Sequence, residues 1–210
     1  MDETEVTVRA VTTVGTETIA LELETPTGFE AKPGQFVRVY GTVDGEEIAR
    51  YYTLSSPDIE ETFEITVGVD AEGDLSPWLA DREEGDTLRI EGPFGNVAYE
   101  DGDVVVLAGG PGVGPAVGIA EAAVAAGNHA AIVYQDDDPA HEERLEALVE
   151  SGCDVTIVDE GTPAFAEAVA SVVDDGQIYV FGFQSFVEAA RDAVDDAGGD
   201  FDAAEVESFG

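Results

Sequence analysis

Basic residues are what this chain has least of. Eight Lys and Arg stand against 47 Asp and Glu in 210 residues, giving a formal net charge of −39, and Lys32 is the only lysine. Nucleic acid is a poor partner for such a chain, because neutralising phosphates needs a basic stripe. The acid is spread along the whole length and is not gathered in a tail, which reads as a solvation strategy. It suits a protein of a salt-in halophile, where molar salt shortens the reach of surface charge to roughly 3 Å. Cysteine is almost missing. Cys153 stands alone, which excludes a disulfide framework and a thiolate-held metal or iron–sulfur site within this chain. It opens an apolar segment and reads as a small buried residue. The two histidines, His129 and His141, lack a second ligand pattern, so no metal site is expected and both read as surface residues. The stretch DDDPAHEE lacks the glycine and closing spacing of a calcium loop and reads as a solvated helix start. No Gly-x-Ser-x-Gly elbow is present. No apolar run is long enough to span a bilayer, and the acidic start lacks the apolar segment of a signal peptide. A soluble, cytoplasmic protein is expected.

What is there falls into two textures that meet near Tyr99–Asp103. An apolar fraction of 44% is enough for a folded core despite the charge. Before the junction run short alternating segments: EVTVRAV, TIALELE, GQFVRVY, FEITVGV and DTLRIEG. In FEITVGV, Phe63, Ile65, Val67 and Val69 share one face while Glu64 and Thr66 share the other. Period two argues half-buried antiparallel strands, and several such strands suggest a small closed barrel. After the junction, DVVVLAGG is continuously apolar, as a strand covered on both faces should be. A helix is expected over PAVGIAEAAVAAG, closed by Gly127. Strand and helix then alternate through HAAIVYQ, EERLEALVESG, CDVTIVDEG, PAFAEAVASVV, QIYVFGF and VEAARDAVDDAGG, which implies a parallel sheet wrapped by helices. The expected division is a β-barrel domain over 1–100 and an α/β domain over 101–210.

Four motifs carry chemistry. The loop GGPGVGP, Gly109 to Pro115, follows a buried strand and opens a helix, the setting in which backbone N–H groups meet a phosphate. The octapeptide RYYTLSSP, Arg50 to Pro57, joins a guanidinium, a flat phenol and a hydroxyl at the end of a strand. Arg50 and Tyr52 share one face there. Thr53 joins them only if regular pairing stops near it, and LSSP supplies the turn chemistry. In EGDLSPWL, Gly73 makes a turn and Ser76 is expected to cap a short helix with Pro77 at its first position. GPFG, Gly92 to Gly95, closes the barrel.

In this order and spacing the set resembles the ferredoxin–NADP reductase family of flavin oxidoreductases, over nearly the whole chain. The resemblance implies an FAD-binding antiparallel barrel followed by a Rossmann-like parallel α/β domain that takes a nicotinamide dinucleotide. It implies that Arg50 binds the FAD pyrophosphate, that Tyr52 packs on the isoalloxazine, and that Thr53 bonds near flavin N5, where hydride arrives. Ser56, Gly73, Leu75 and Ser76 match other flavin-contacting positions, and Val67 lies on the strand beside the cofactor. Gly109, Gly110, Gly112 and Pro115 match the dinucleotide loop, and Gly182 the glycine after the fourth α/β strand. The ending VESFG puts Glu207 and Phe209 on the nicotinamide side of the flavin. Thr53, Glu207 and Phe209 are thus the expected catalytic positions.

Two residues depart from the family's pattern. Pro111 stands where a threonine is usual, and Phe181 replaces a cysteine, its ring either crowding the nicotinamide or filling space. The carboxylates of Asp136, Asp137, Asp138, Asp159 and Glu160 stand at strand ends that meet an adenosine ribose, which favours NADH over NADPH. The function expected is hydride transfer from NAD(P)H to FAD, then electron release to an external acceptor such as ferredoxin, another redox protein or a small molecule. The alternatives are a flavin-binding electron-transfer subunit without nicotinamide turnover, and a flavin-free binding module.

Overall fold

In the computed structural model, which describes residues 3–209, six antiparallel strands come first. They are β1 (Thr4–Gly15), β2 (Thr18–Glu24), β3 (Phe36–Val43), β4 (Glu46–Thr53), β5 (Thr62–Gly68) and β6 (Thr87–Phe94), with a short helix α1 (Leu75–Ala80) before the last. The order β4-β3-β6-β1-β2-β5 leaves β4 and β5 at the two edges. A bridge between Leu54 and Ile65 joins those edges and curls the sheet into a barrel. Its interior is the alternate set the sequence marks, Val37 and Val39 with Phe63, Ile65 and Val67 among them. The other face of β5 is not solvent. Thr66 is buried there and Glu64 half-buried, because the second half of the chain covers them.

The start of α1 corrects one expectation. Asp74 holds the N-cap position without a side-chain capping bond, and Ser76 lies inside the first turn. Leu75 turns helical because it plugs the barrel beside Gly41, where an added Cβ would meet its Cδ1 at 2.4 Å. The Ser76 hydroxyl instead accepts the Asp70 N–H at 3.1 Å.

The second half is β7 (Val104–Gly109), α2 (Val113–Ala126), β8 (Ala130–Gln135), α3 (Glu142–Glu150), β9 (Asp154–Val158), α4 (Ala164–Val172), β10 (Gln177–Phe183), α5 (Gln184–Asp196) and β11 (Glu205–Phe209). All five strands are parallel, in the order β11-β10-β7-β8-β9. Helices α2 and α3 pack on one face with Val104, Val106 and Phe181. Helices α4 and α5 pack on the other with Val105, Leu107 and Val180. Strand order reverses between β7 and β10, where α/β sheets open a crevice at their carboxyl ends. Strand β11 was not expected as a strand. Helix α2 starts at Val113, two residues before Pro115, and ends as expected at Gly127 with φ of 85°.

The halves meet along α2 and α3, and His141 stands at this seam and not on the surface. It is buried, its ring Nε2 lies 2.8 Å from the Thr66 hydroxyl, and its backbone N–H donates to Val14. Burial, with Arg144 nearby, pushes its pKa down to about 3. The unfolded chain takes up this proton near the ordinary value of 6.5 and the folded chain does not, so stability is lost as pH falls from 6.5 toward 3. His141→Asn tolerates the left-handed backbone (φ 56°) and removes the titration. The variant should lose less Tm than the parent between about pH 6.5 and 4.5 at fixed salt. Parallel losses would show that His141 does not drive acid unfolding.

Candidate functional site

The open seam of the barrel is built by one strand. As an edge strand, β4 meets β5 only past its end, at Leu54, so the outer hydrogen-bonding edge of Glu46–Thr53 faces no other strand among the described residues. Arg50 lies opposite Val39 and Tyr52 opposite Val37. Both side chains therefore leave the strand on the side of the barrel interior and reach the seam. Tyr52 rests on the core, and burial pushes its phenol up to about 12, so it stays a neutral donor. Arg50 is exposed, and its Nη1 donates to the Ala49 carbonyl at 2.9 Å. Among the described residues every other Lys and Arg forms an ion pair with a carboxylate, and Arg50 forms none.

Regular pairing of β4 stops at Thr53. Its hydroxyl, 7% exposed as a residue, donates to Glu207 Oε1 at 2.5 Å. Glu207 lies on β11 opposite Phe181 of β10, so the end of the barrel strand and the edge of the parallel sheet share one hydrogen bond. Burial pushes the Glu207 carboxyl up to about 7, against the lowering effect of the Thr53 hydroxyl. Two residues on, Phe209 lies opposite Phe183, and their rings meet edge to face at 6.1 Å. Phe183 is 55% exposed at this end of the sheet, a feature the sequence reading passed over.

The glycine-rich loop lies at the reversal point of the sheet. Gly109 ends β7, Gly110 has φ of 55°, and Gly110–Gly112 form a 3-10 turn that runs into α2. The glycines answer to packing: a Cβ on Gly112 would lie 2.2 Å from the Phe181 carbonyl oxygen, and those on Gly109 and Gly182 would enter the Phe186 ring. Pro115 is buried in the first turn of α2. Pro111, partly buried in that turn, stands near the end of β5, where a Cβ added to Gly68 would lie 3.8 Å from the proline Cβ. Phe181 is wholly buried under α2 and fills the core.

Other expected positions are placed differently. Val67 is wholly buried in the barrel and backs the seam without facing it. Gly73 makes its turn through an N–H bond to Asp70, and Leu75 and Ser76 follow into α1. Ser56 lies past the Leu54 bridge, where its hydroxyl accepts the Glu64 N–H at 2.6 Å. It is not brought together with Arg50 and Tyr52. At the ends of β8 and β9, Asp136 has one oxygen on the Tyr134 hydroxyl and the other on the Asp138 N–H, and Asp137 accepts the Glu160 N–H. Asp138, Asp159 and Glu160 are exposed.

These groups fit FAD on two counts. A guanidinium free of carboxylates is available for a pyrophosphate, in a chain that pairs its other cations. A neutral phenol on an unpaired strand edge is available for a flat ring with hydrogen-bonding edges.

Comparison with known proteins bears on the same residues. Residues 4–99 match the model of the oxidoreductase FAD-binding domain. The chain is 36% identical over 108 residues to the glycine betaine monooxygenase reductase subunit of Pseudomonas aeruginosa, covering 49% of this chain and 30% of that one. It is 32% identical over 181 residues to the ferredoxin reductase component of 3-ketosteroid-9-alpha-monooxygenase of Mycobacterium tuberculosis, covering 77% and 50%. At most half the length of these two relatives is thus spanned. In fold it matches a ferredoxin NADP+ reductase from Neisseria gonorrhoeae solved with FAD and NADP, at TM-score 0.77 and 18% identity over 99% of both chains.

The raised Glu207 carboxyl makes a sign-definite test. The folded chain holds this proton up to about pH 7 while the unfolded chain releases it near 4.5. Its stabilising contribution is therefore full below pH 4.5 and lost as pH rises through 7. The Glu207 contribution to wild-type Tm should be lost between about pH 4.5 and 7, opposing the His141 gain over pH 4.5–6.5. The Tm of Glu207→Gln measured relative to wild type should therefore rise across that window and level off above it. An unchanged slope in the variant would show that Glu207 titrates normally.

Proposed function

Because this chain belongs to the ferredoxin–NADP reductase-like family of flavin oxidoreductases, we propose that it takes hydride from a reduced nicotinamide dinucleotide and delivers electrons to an external acceptor. Residues 1–100 form the FAD-binding half and 101–210 the nicotinamide-binding half. The observation that carries the reading is Arg50, the one cation with no carboxylate partner among the described residues, standing beside Tyr52 at an unpaired strand edge.

FAD, when bound, supplies the redox chemistry, accepting hydride and releasing electrons onward. Arg50 holds its pyrophosphate by charge-assisted hydrogen bonds. Tyr52 gives its ring a wall and keeps its own proton. Thr53 presents a hydroxyl whose orientation Glu207 fixes. The Glu207 carboxyl, poised near 7, can hold or release a proton beside that hydroxyl. Phe183 and Phe209, edge to face, present an apolar surface at the carboxyl end of the parallel sheet. The loop from Gly109 to Gly112 offers backbone N–H groups at the start of α2 to the dinucleotide phosphates.

NADH is the favoured donor. Asp138, Asp159 and Glu160 bond ribose hydroxyls and repel a 2′-phosphate. The relatives that are reductase components of monooxygenases favour an oxygenase or a ferredoxin as the acceptor. The alternative, a subunit without nicotinamide turnover, draws on Pro111 and Phe181; against it stands the burial of Phe181 in the core under α2.

Purified protein in molar salt should be yellow. Anaerobic NADH should bleach the flavin band within seconds and NADPH at least about tenfold more slowly, since a repelled phosphate costs about 1.4 kcal/mol or more. Arg50→Ala should weaken FAD binding by about 10- to 100-fold, the loss of one charge-assisted contact. Protein that stays colourless with added FAD, or an Arg50→Ala variant that holds FAD as tightly as the parent, would overturn the reading.

A further inference from the structure

Arg144, on α3, stands at the seam between the halves, and no family motif in the sequence marks it. Its Nε and Nη2 hold both oxygens of Glu121 on α2, at 2.8 and 2.7 Å. Its Nη1 donates to Glu64 Oε1 on β5 at 2.8 Å, and Nη2 also donates to the Ser55 carbonyl at 2.7 Å. One planar cation thus ties together two helices of the nicotinamide half, one strand of the barrel, and the segment that leaves β4. Around it the barrel side is locked on itself. Ser55 Oγ donates to Glu64 Oε1 at 3.0 Å, and the Ser55 N–H donates to the Glu64 carbonyl at 2.8 Å. Helix α2 lies directly on this segment, since a Cβ on Gly118 would stand 2.9 Å from the Ser55 carbonyl carbon.

The consequence lies in what each end of this clamp carries. Ser55 is two residues past Thr53, with the fully buried Leu54 between them as the barrel's closing bridge. Helix α2 opens from the loop Gly109–Gly112. We propose that Arg144 is a positioning residue for hydride transfer: it fixes the dinucleotide loop and its helix at one distance from the Thr53 end of the flavin strand. The inference rests on the function proposed above. Glu64 and Glu121, together with Glu22, line a cavity of about 290 Å³ at this point, and without Arg144 their like charges would push the halves apart. The clamp is half-buried or deeper throughout, so molar salt weakens it far less than an exposed pair. Lysine cannot replace it, because a single ammonium cannot face Glu121 in a two-point contact while also reaching Glu64 and the Ser55 carbonyl.

The test uses the FAD-loaded protein with Arg144→Lys and Arg144→Met, the lysine variant keeping the charge should the methionine variant fail to fold. Three quantities are read: FAD retained per chain, the limiting rate and half-saturating NADH for flavin bleaching, and amide hydrogen exchange over 53–57 and 113–120. Misplacing reacting groups by about 1 Å costs on the order of 100-fold in rate. The limiting rate should fall at least about tenfold in both variants, with half-saturating NADH and FAD content within about threefold of the parent, and exchange in both segments should quicken. A structural role alone would lower Tm and leave the limiting rate where it was. An unchanged limiting rate, or unchanged exchange, overturns the positioning role. A parent flavin that neither nicotinamide bleaches overturns the proposed function itself, and is seen before any variant is made.

Discussion

The bridge between Leu54 and Ile65 joins the two edge strands of the barrel at one point and no further. Had β4 and β5 paired along their length, the barrel would be closed and Arg50 and Tyr52 would face into it or be covered. Because they pair only past Thr53, the outer edge of β4 stays unpaired and its side chains reach a seam. The same point ends the strand's alternation, which frees the Thr53 hydroxyl to turn toward Glu207. Beyond it the chain passes under α2, where Ser55 and Ser56 are bonded to Glu64. An open cofactor edge, a turned hydroxyl and a docked second half all follow from where one barrel closure falls.

Charge acts on this frame by scarcity. With eight cations among 47 acids, an arginine left without a carboxylate is harder to explain than one that is paired. Most of the ion pairs lie on exposed side chains, as Arg9–Glu24 and Lys32–Glu100 do, where each contributes little and salt screens it. Two arginines stand apart. Arg144 is enclosed by Glu64, Glu121 and a carbonyl, and Arg50 has no acid at all among the described residues. One serves the joint and the other is left for a ligand.

Much of this was legible in the residues. Period two in EVTVRAV and FEITVGV and the apolar run DVVVLAGG separated the two sheets, since a half-covered strand must alternate and a doubly covered one need not. The strained or tightly packed glycines and the stop at Thr53 could be read from turn chemistry. What could not be read depended on the partner surface. Thr66 and Glu64 look like a solvent face until the second half is docked on them, and His141 looks like a surface histidine in an acidic stretch for the same reason. Strand β11 hides because Glu205, Glu207 and Ser208 give it no apolar period; it exists as the fifth strand of a sheet already formed. Arg144 sits in EERLEALVESG like any solvated helix residue, and the sequence reading did not mark it. The departures Pro111 and Phe181 read alike in the sequence, yet Phe181 is buried in the core under α2 while Pro111 is only partly buried in the turn before it.

The joint explains why so charged a chain can hold two halves in register. Small residues bring the backbones together: an added Cβ on Gly114 would collide with Thr66, and one on Gly118 with Ser55. Close approach strips water from the polar groups between them, and a buried polar group without a partner costs about 1–3 kcal/mol. Here the groups are answered, Thr66 by His141, the Ser55 carbonyl by Arg144, the Glu64 N–H by Ser56. A hydrophobic joint would hold at any angle that buries its area, whereas this network is satisfied at one geometry only. The surface acids solvate the chain and set no distances; the seam sets them. A reaction that needs two ligands held on separate halves requires that kind of joint, and Arg144 and His141, which tie it, lie outside the motifs the sequence displays.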